Sequence, residues 1–595
     1  MKKSLLFLFL LGLCYSGMQA QDGRIEILKH ILKEKIRYNS HMEGGFSMTG
    51  LSKSVNDTAI DIKITNNSVA GEEEGEPFII VNPTDSNNIV LSYMHFGGTS
   101  SLVFPVYYSA NGGQSWNLSS FDTEQIFDLD STGLVIAGGG DPIFAFDSNG
   151  RLYFSWIYLG VNVLNADSKF IVYWAWSDDN GATFQLSEGE KRHILLGEIN
   201  LLTYEMGLNG DGIFDRPWFD IDRSGGPFDG SLYCSGLFIP NDSTPLDGNG
   251  MICKYKRANV DSFAYVNTVV SNAINVQFGN LRVDGSGNVH VTYVNLDNNK
   301  LYHRMSSDGG VSFGTINEVA VLSYDYNNQN YLVHTRENPV PSLTINRLTN
   351  SLHIVWTSFE NDMTRSYYSN STDFGANWTT PQSVSDIIVQ ADKQVFMPTL
   401  AVNESGHLSI SGHVLDSLDR GTYFVVESLD EGATFGEAII VASDTTFYGD
   451  YPLQQQAFFG DYENSDKSGC KTYSIWSDGR YGEGPKIYVS ITDHCADWLG
   501  LEDVFPVSDQ IQLQSVYPNP VKDYLDVQLN LKNNTSLSIK LVNTNGQLIK
   551  EIYQSDDALG MMNLHLNIGH LLETGYFLMI IETELGVITK SLIKI

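Results

Sequence analysis

Eight charged residues, Glu76, Asp141, Asp215, Arg216, Glu337, Asp461, Asp478 and Arg480, stand beside the openings of a strand pattern that recurs along this 595-residue chain. Carboxyl groups gathered from several strands can act as general acid and base. A carboxyl acid facing a carboxylate or a tyrosine is what cleavage of a glycosidic bond needs. Arginine forks beside them would grip a carboxylate, and Arg282, Arg336 and Arg365 are further candidates for that role. The same residue types also cap strands and form turns, and they hold sugar hydroxyls without turnover. Other catalytic signatures are missing: no HExxH, no Gly-x-Ser-x-Gly with a triad and no phosphate-binding loop. Asn209-Gly-Asp211-Gly-Ile-Phe-Asp215 spaces oxygen ligands among glycines, so Asp211 and Asp215 are candidates for Ca²⁺. The rest of an EF-hand is absent, a plain loop is the simpler reading, and no other cofactor is expected.

The elements that would position the charged residues repeat. A strand ending in Asp or Asn, a turn and an aromatic-rich strand recur in seven units: EPFIIVNPTDSNNIVLSYMHF from Glu76, DPIFAFDSNGRLYFSWI from Asp141, RPWFDIDRSGGPFDGSLYCSGL from Arg216, NLRVDGSGNVHVTYV from Asn280, PSLTINRLTNSLHIVWTSF from Pro341, MPTLAVNESGHLSISGHV from Met397 and FFGDYENSDKSGCKTYSIW from Phe458. A shorter phrase recurs five times, at residues 109–116 (SANGGQSW), 177–184 (SDDNGATF), 306–313 (SSDGGVSF), 371–378 (STDFGANW) and 428–435 (SLDEGATF). Each joins a serine, an Asp or Asn, a glycine and a terminal aromatic: Ser109, Asn111, Gly113, Trp116; Ser177, Asp179, Gly181, Phe184; Ser306, Asp308, Gly310, Phe313; Ser371, Asp373, Gly375, Trp378; Ser428, Asp430, Gly432, Phe435. The Asx side chain can bond the turn backbone, and glycine accepts a positive φ.

This phrase resembles the Asp-box, the bacterial neuraminidase repeat, which in its families closes the hairpin between the last two strands of a propeller blade. The resemblance implies an all-β chain: a sialidase-like β-propeller over residues 58–495, with the boxes as structural staples. Seven blades are favoured and six are the alternative. The third unit carries only the degenerate KYKRANVDSF from Lys254, and the seventh ends at KIYVSITD without an outer strand. Residues 58–66 (TAIDIKITN) alternate apolar and polar and can supply that strand. Sialidases grip their substrate with three arginines and carry an Arg-Ile-Pro motif at the first blade. Here the first blade reads Glu76-Pro77-Phe78, so the resemblance implies the fold and leaves sialidase activity unsupported.

The ends of the chain speak of export. Lys2 and Lys3, an apolar run and small residues up to Ala20 read as a signal peptide over residues 1–20, too short to span a membrane; no later stretch is long enough. Residues 21–57 form an N-terminal segment with a short helix, expected over residues 23–38. Cys234 and Cys253, on neighbouring strands of the third unit, are expected to pair, as are Cys470 and Cys495 around the seventh. A linker over residues 496–512 precedes alternating strands over residues 513–595, expected as a small β-sandwich. The YPNP at residues 517–520, the Asn545-Gly546 turn, Thr574-Gly575-Tyr576 and the basic end with Lys590 and Lys594 resemble the type A C-terminal sorting domain of the type IX secretion system. That resemblance implies a bacterium of the Bacteroidota, the type IX machinery as a partner, and a secreted or outer-membrane location.

Seventy acidic against 36 basic residues give a formal charge of −34, which repels nucleic acid and anionic membranes. The missing catalytic motif and the sorting domain favour an exported propeller that binds an extracellular glycan or glycoprotein. A glycoside hydrolase of sialidase-like fold is the alternative, and a protein-binding surface scaffold the second alternative.

Overall fold

The computed structural model describes residues 61–64, 72–97, 100–203, 206–207, 211–240, 249–273, 276–323, 340–360, 363–388, 394–417, 420–448, 459–480, 484–493, 511–518, 521–543, 548–569, 575–583 and 586–594. The chain divides into two compact units between His494 and Cys495. The expected signal, the helix over residues 23–38, Arg336, Glu337 and Cys495 lie outside the described residues.

In the first unit successive strands pair antiparallel into sheets of four or five, and seven such sheets occur among the described residues. Their first strands are Glu73–Asn82, Val135–Phe146, Gly212–Ile221, Val276–Val283, Ser342–Asn346, Gln394–Val402 and Asn464–Ser468. Each touches the first strand of the next sheet, and Asn464–Ser468 touches Glu73–Asn82, so the first strands close a ring. This is a β-propeller, with each sheet a blade running outward from the central channel. The blades bond to one another through apolar faces rich in large rings. Tyr423 and Trp476, both fully buried, stack at 4.7 Å between the sixth and seventh blades. Burying one such side chain contributes roughly 1.5–3 kcal/mol.

The seventh blade contains three strands of its own, Asn464–Ser468, Lys471–Asp478 and Lys486–Asp493. Its outer strand is Asp61–Lys63, paired with Lys486–Asp493 through Asp61↔Ser490, Ile62↔Val489 and Lys63↔Tyr488. Three residues of ladder make a short closure, and charge reinforces it. Arg480 Nη2 lies 2.6 Å from Asp61 and 2.5 Å from Asp478, and Nη1 donates to Ser443 Oγ at 2.9 Å. Asp61 also accepts the Ser443 backbone N–H at 3.0 Å.

The five boxes share one hydrogen-bond pattern. Each serine hydroxyl donates to the Asx side chain at 2.8–2.9 Å. Each also accepts the box glycine N–H at 2.8–2.9 Å. The Asx Oδ1 accepts the N–H four residues on at 2.8–3.0 Å. The glycine is left-handed every time, and at Gly432 (φ +83°) a Cβ would stand 1.9 Å from Tyr368 Oη of the preceding blade. Terminal rings pack the same way: Trp378 meets His303 edge-on at 5.7 Å, and Phe435 meets Tyr368 at 5.3 Å. Hydrogen bonds from the Asn377 side chain and backbone hold the Asp373 carboxyl below its ordinary value. A lowered folded-state pKa stabilises above the unfolded value and stops doing so as pH falls through the folded one, so this box weakens only in acid.

The expected Cys234–Cys253 disulfide is absent, and both cysteines are buried free thiols. Cys234 pairs with Lys254, and Cys253 with Ser235. Paired residues share a face and successive residues alternate faces, so the two thiols point to opposite sides of the sheet. Adjacent strands were the right inference; the register is one residue off. Cys470 is disulfide-bonded.

The second unit begins its first strand at Ile511, inside the expected linker. Its strands Ile511–Tyr517, Tyr524–Asn543, Leu548–Asn567, Gly575–Thr583 and Gly586–Lys594 form one sheet. Breaks in the Tyr524–Asn543 ladder between Leu531 and Leu537 divide the long hairpin into two arms. Leu525, Val527 and Leu529 from one arm share a core with Leu537, Ile539, Leu541, Met579 and Ile581 from the other, as in a small sandwich.

Candidate functional site at the channel mouth

Five of the seven first strands break register at the same place, near their start. The breaks fall between Gly75 and Phe78, Gly140 and Ile143, Asp215 and Trp218, Gln277 and Asn280, and Phe396 and Thr399. The residue entering each bulge has positive φ: Glu76 (50°), Asp141 (58°), Arg216 (49°), Phe278 (56°) and Met397 (48°). Pro77, Pro142, Gly279, Pro217 and Pro398 follow, none of which needs the ladder in the way an ordinary strand residue does, because proline has no N–H and glycine no side chain. A left-handed non-glycine residue costs about 1–3 kcal/mol, often at a functional site. Phe278 and Met397 carry no charge yet adopt the same conformation, so the bulge belongs to the ring. What differs among the blades is the side chain carried there, which is Glu, Asp or Arg on three of them.

Those three side chains meet residues of the seventh blade. Arg216 Nη2 lies 2.5 Å from Asp461 Oδ2, with both side chains about nineteen-twentieths buried at 5% and 4% exposure. The same guanidinium sits 4.6 Å above the Phe278 ring centroid, a cation–π contact. Tyr462 Oη donates to Asp141 Oδ1 at 3.5 Å. Its phenol is pushed well above the ordinary value, first by burial and then by the charges of Asp141 and Glu76. Tyr462 therefore keeps its proton and acts as a donor. Gly460 (φ +103°) lets the seventh blade come this close, since a Cβ there would lie 2.7 Å from the Glu76 backbone nitrogen. Asp215, 1% exposed, borders the Arg216 bulge. Aromatic rings pack beside the charges: Phe78 meets Phe144 at 6.3 Å and Trp218 at 6.0 Å, and Trp218 meets Tyr462 at 5.6 Å.

The structure thus brings together Glu76, Asp141, Asp215, Arg216 and Asp461 among the charged residues singled out in the sequence. It draws Asp478 and Arg480 into the closure with Asp61, where Asp478 also accepts from Trp476 Nε1 at 2.9 Å. Arg365 pairs with Asp386 at 3.1 Å on a third strand, and Arg282 lies near the other end of its first strand. Asp211 accepts from Lys254 Nζ at 2.7 Å, while Asp215 is held in Gly212–Ile221; among the described residues no three acidic, His or Cys side chains gather as metal ligands do. Tyr462 is the member that sequence reasoning missed. Its position directly after Asp461 at a repeated strand opening was the available signal.

Residues 515–595 match the secretion system C-terminal sorting domain. This domain indicates export, with a secreted or surface location by way of the type IX machinery. No helix among the described residues is long and apolar enough to cross a membrane. No curated protein matches the chain. Solved structures similar to it include the α-L-arabinanase of Penicillium chrysogenum, 16% identical, covering 73% of this chain and 98% of that one with a TM-score of 0.36. The NanB sialidase of Streptococcus pneumoniae is 12% identical, covering 72% and 70% with a TM-score of 0.35. A protein of unknown function from Dyadobacter fermentans is 12% identical, covering 74% and 98% with a TM-score of 0.37.

Proposed function

We propose that this exported propeller binds an extracellular glycan or glycoprotein at the strand-start mouth of its channel. The supporting observation is the convergence of Glu76, Asp141, Arg216 and Asp461 around Tyr462, backed by Trp218, Phe78 and Phe278. Carboxylates accept from sugar hydroxyls, a protonated tyrosine donates to them, and ring faces cover the apolar side of a pyranose. Arg216 is committed to Asp461 and Tyr462 is held neutral, which favours recognition over a phenolate nucleophile. The hydrolase reading draws on the Tyr462–Asp141 contact, an acid donor beside a carboxylate within one buried site.

The test is a panel of sialylated, neutral and sulphated glycans, each measured for retention by the purified protein and for release of sugar. Retention of at least one class without release is expected. Asp141→Asn should weaken it by about five- to tenfold, the worth of one hydrogen bond. Release by the parent that Asp141→Asn abolishes would establish the hydrolase instead. Neither retention nor release would overturn both and leave a protein scaffold.

A further inference from the structure

The first strands end at the opposite side of the ring from their bulges, and three arginines gather there. Arg223 lies two residues beyond Gly212–Ile221, Arg282 is next to last in Val276–Val283, and Arg347 follows Ser342–Asn346. They come from three consecutive blades. The acidic groups facing them are Asp220, Asp466 from the seventh blade, and the exposed Glu404.

Both channel carboxylates are already engaged. Arg347 Nη2 donates to the two oxygens of Asp220 at 3.0 and 2.9 Å, and Asp220 Oδ2 also accepts the Val283 N–H at 2.8 Å. Asp466 accepts the backbone N–H groups of Val81 and Lys467, each at 2.8 Å. Burial raises its carboxyl from the ordinary value.

The other two guanidiniums are left over. Arg282 lies 5.4 Å above the Trp218 ring and, among the described residues, donates only to its neighbour's carbonyl, Leu281 O, at 3.3 Å. Arg223 makes no hydrogen bond or ion pair with any described residue, and its Nε is buried without a partner. Burial, and then the nearby charge of Arg347, brings Arg223 down to about 10, so it remains charged at neutral pH. Both side chains, Arg223 and Arg282, are half-buried, so water reaches part of each guanidinium, while the buried Arg223 Nε is costly until an acceptor meets it. Three arginines face three acids, so formal charge balances here, but the hydrogen bonds do not: Asp220 and Asp466 are used elsewhere, and Arg223 Nε is left unmet.

We propose that this end of the channel is an oxyanion site, in which Arg223 and Arg282 donate to a carboxylate, sulfate or phosphate group and Arg347, fixed by Asp220, flanks it. The site adjoins the bulge-mouth residues through Trp218, which meets both Tyr462 and Arg282, but its donors are not mouth residues and it does not depend on the glycan reading. The guanidinium fork suits any of these groups, because each presents two oxygens at matching spacing.

Thermal unfolding of the full chain, with acetate, sulfate or phosphate replacing chloride at constant ionic strength and millimolar concentration, tests this. At least one oxyanion should raise Tm by about 2 °C relative to chloride. A response to acetate alone identifies a carboxylate ligand, and a response to sulfate or phosphate a tetrahedral one. Arg223→Gln should weaken the apparent affinity by at least about tenfold. Arg151→Gln, which removes a surface ion pair with Asp178, should respond as the parent does. Should Arg223→Gln fold poorly, Arg282→Gln serves the same purpose. Equal responses of the parent and the folded arginine variant, or no response beyond chloride in the parent, would overturn the site.

Discussion

Removing residues 511–595 should abolish the appearance of the protein at the cell surface while leaving the propeller folded. The removed piece is the matched sorting domain together with its first strand, and it has its own core of Leu525, Val527, Leu529, Ile539 and Ile581. It forms a compact unit separate from the ring. With the leader expected over residues 1–20 retained, the shortened chain should accumulate in the periplasm and resist proteolysis there as a folded ring does. Cell fractionation and protease shaving of intact cells measure this. Normal surface exposure of the shortened chain would contradict the export route.

Arg480→Ala should destabilise the propeller by roughly 3–5 kcal/mol, because it strands two buried carboxylates, Asp61 and Asp478, which the guanidinium now compensates. Both acids are at most 4% exposed, so water cannot take over the role. The loss should exceed that of Arg365→Ala, whose partner Asp386 is 63% exposed. Since the outer strand Asp61–Lys63 has only three paired residues, its detachment should accompany the loss and appear as faster amide exchange at Val489 and Ser490. An unchanged denaturation midpoint would rule out a charged closure of the ring.

The boxes were legible because their information is local. Ser428, Asp430 and Gly432 bond one another within a single turn, so residue type and spacing determine the geometry. The closing strand was legible for a related reason: residues 58–66 alternate, and the seventh unit lacks a fourth strand. Cys234 and Cys253 show where local information stops, since a one-residue change of register turns a plausible disulfide into two thiols on opposite faces. The charged candidates divide in the same way. Glu76, Asp141 and Arg216 hold equivalent positions on a repeated bulge and could be found from the repeat. Arg480 looked equivalent, but its partner comes from the N-terminal strand, a contact that no spacing within the seventh unit encodes. Arg223 and Arg347 lie in or next to the turns after their first strands, outside the openings where chemistry was sought.

The central claim is that ligand sits at the bulge mouth, and a crystal structure of the protein soaked with a glycan it retains tests it most directly. The account predicts sugar hydroxyls within hydrogen-bond distance of Asp141, Glu76 or Tyr462, with a ring face against the channel aromatics. Sugar bound only on the outer edges of the blades or at the box turns, with the mouth filled by protein, would contradict it.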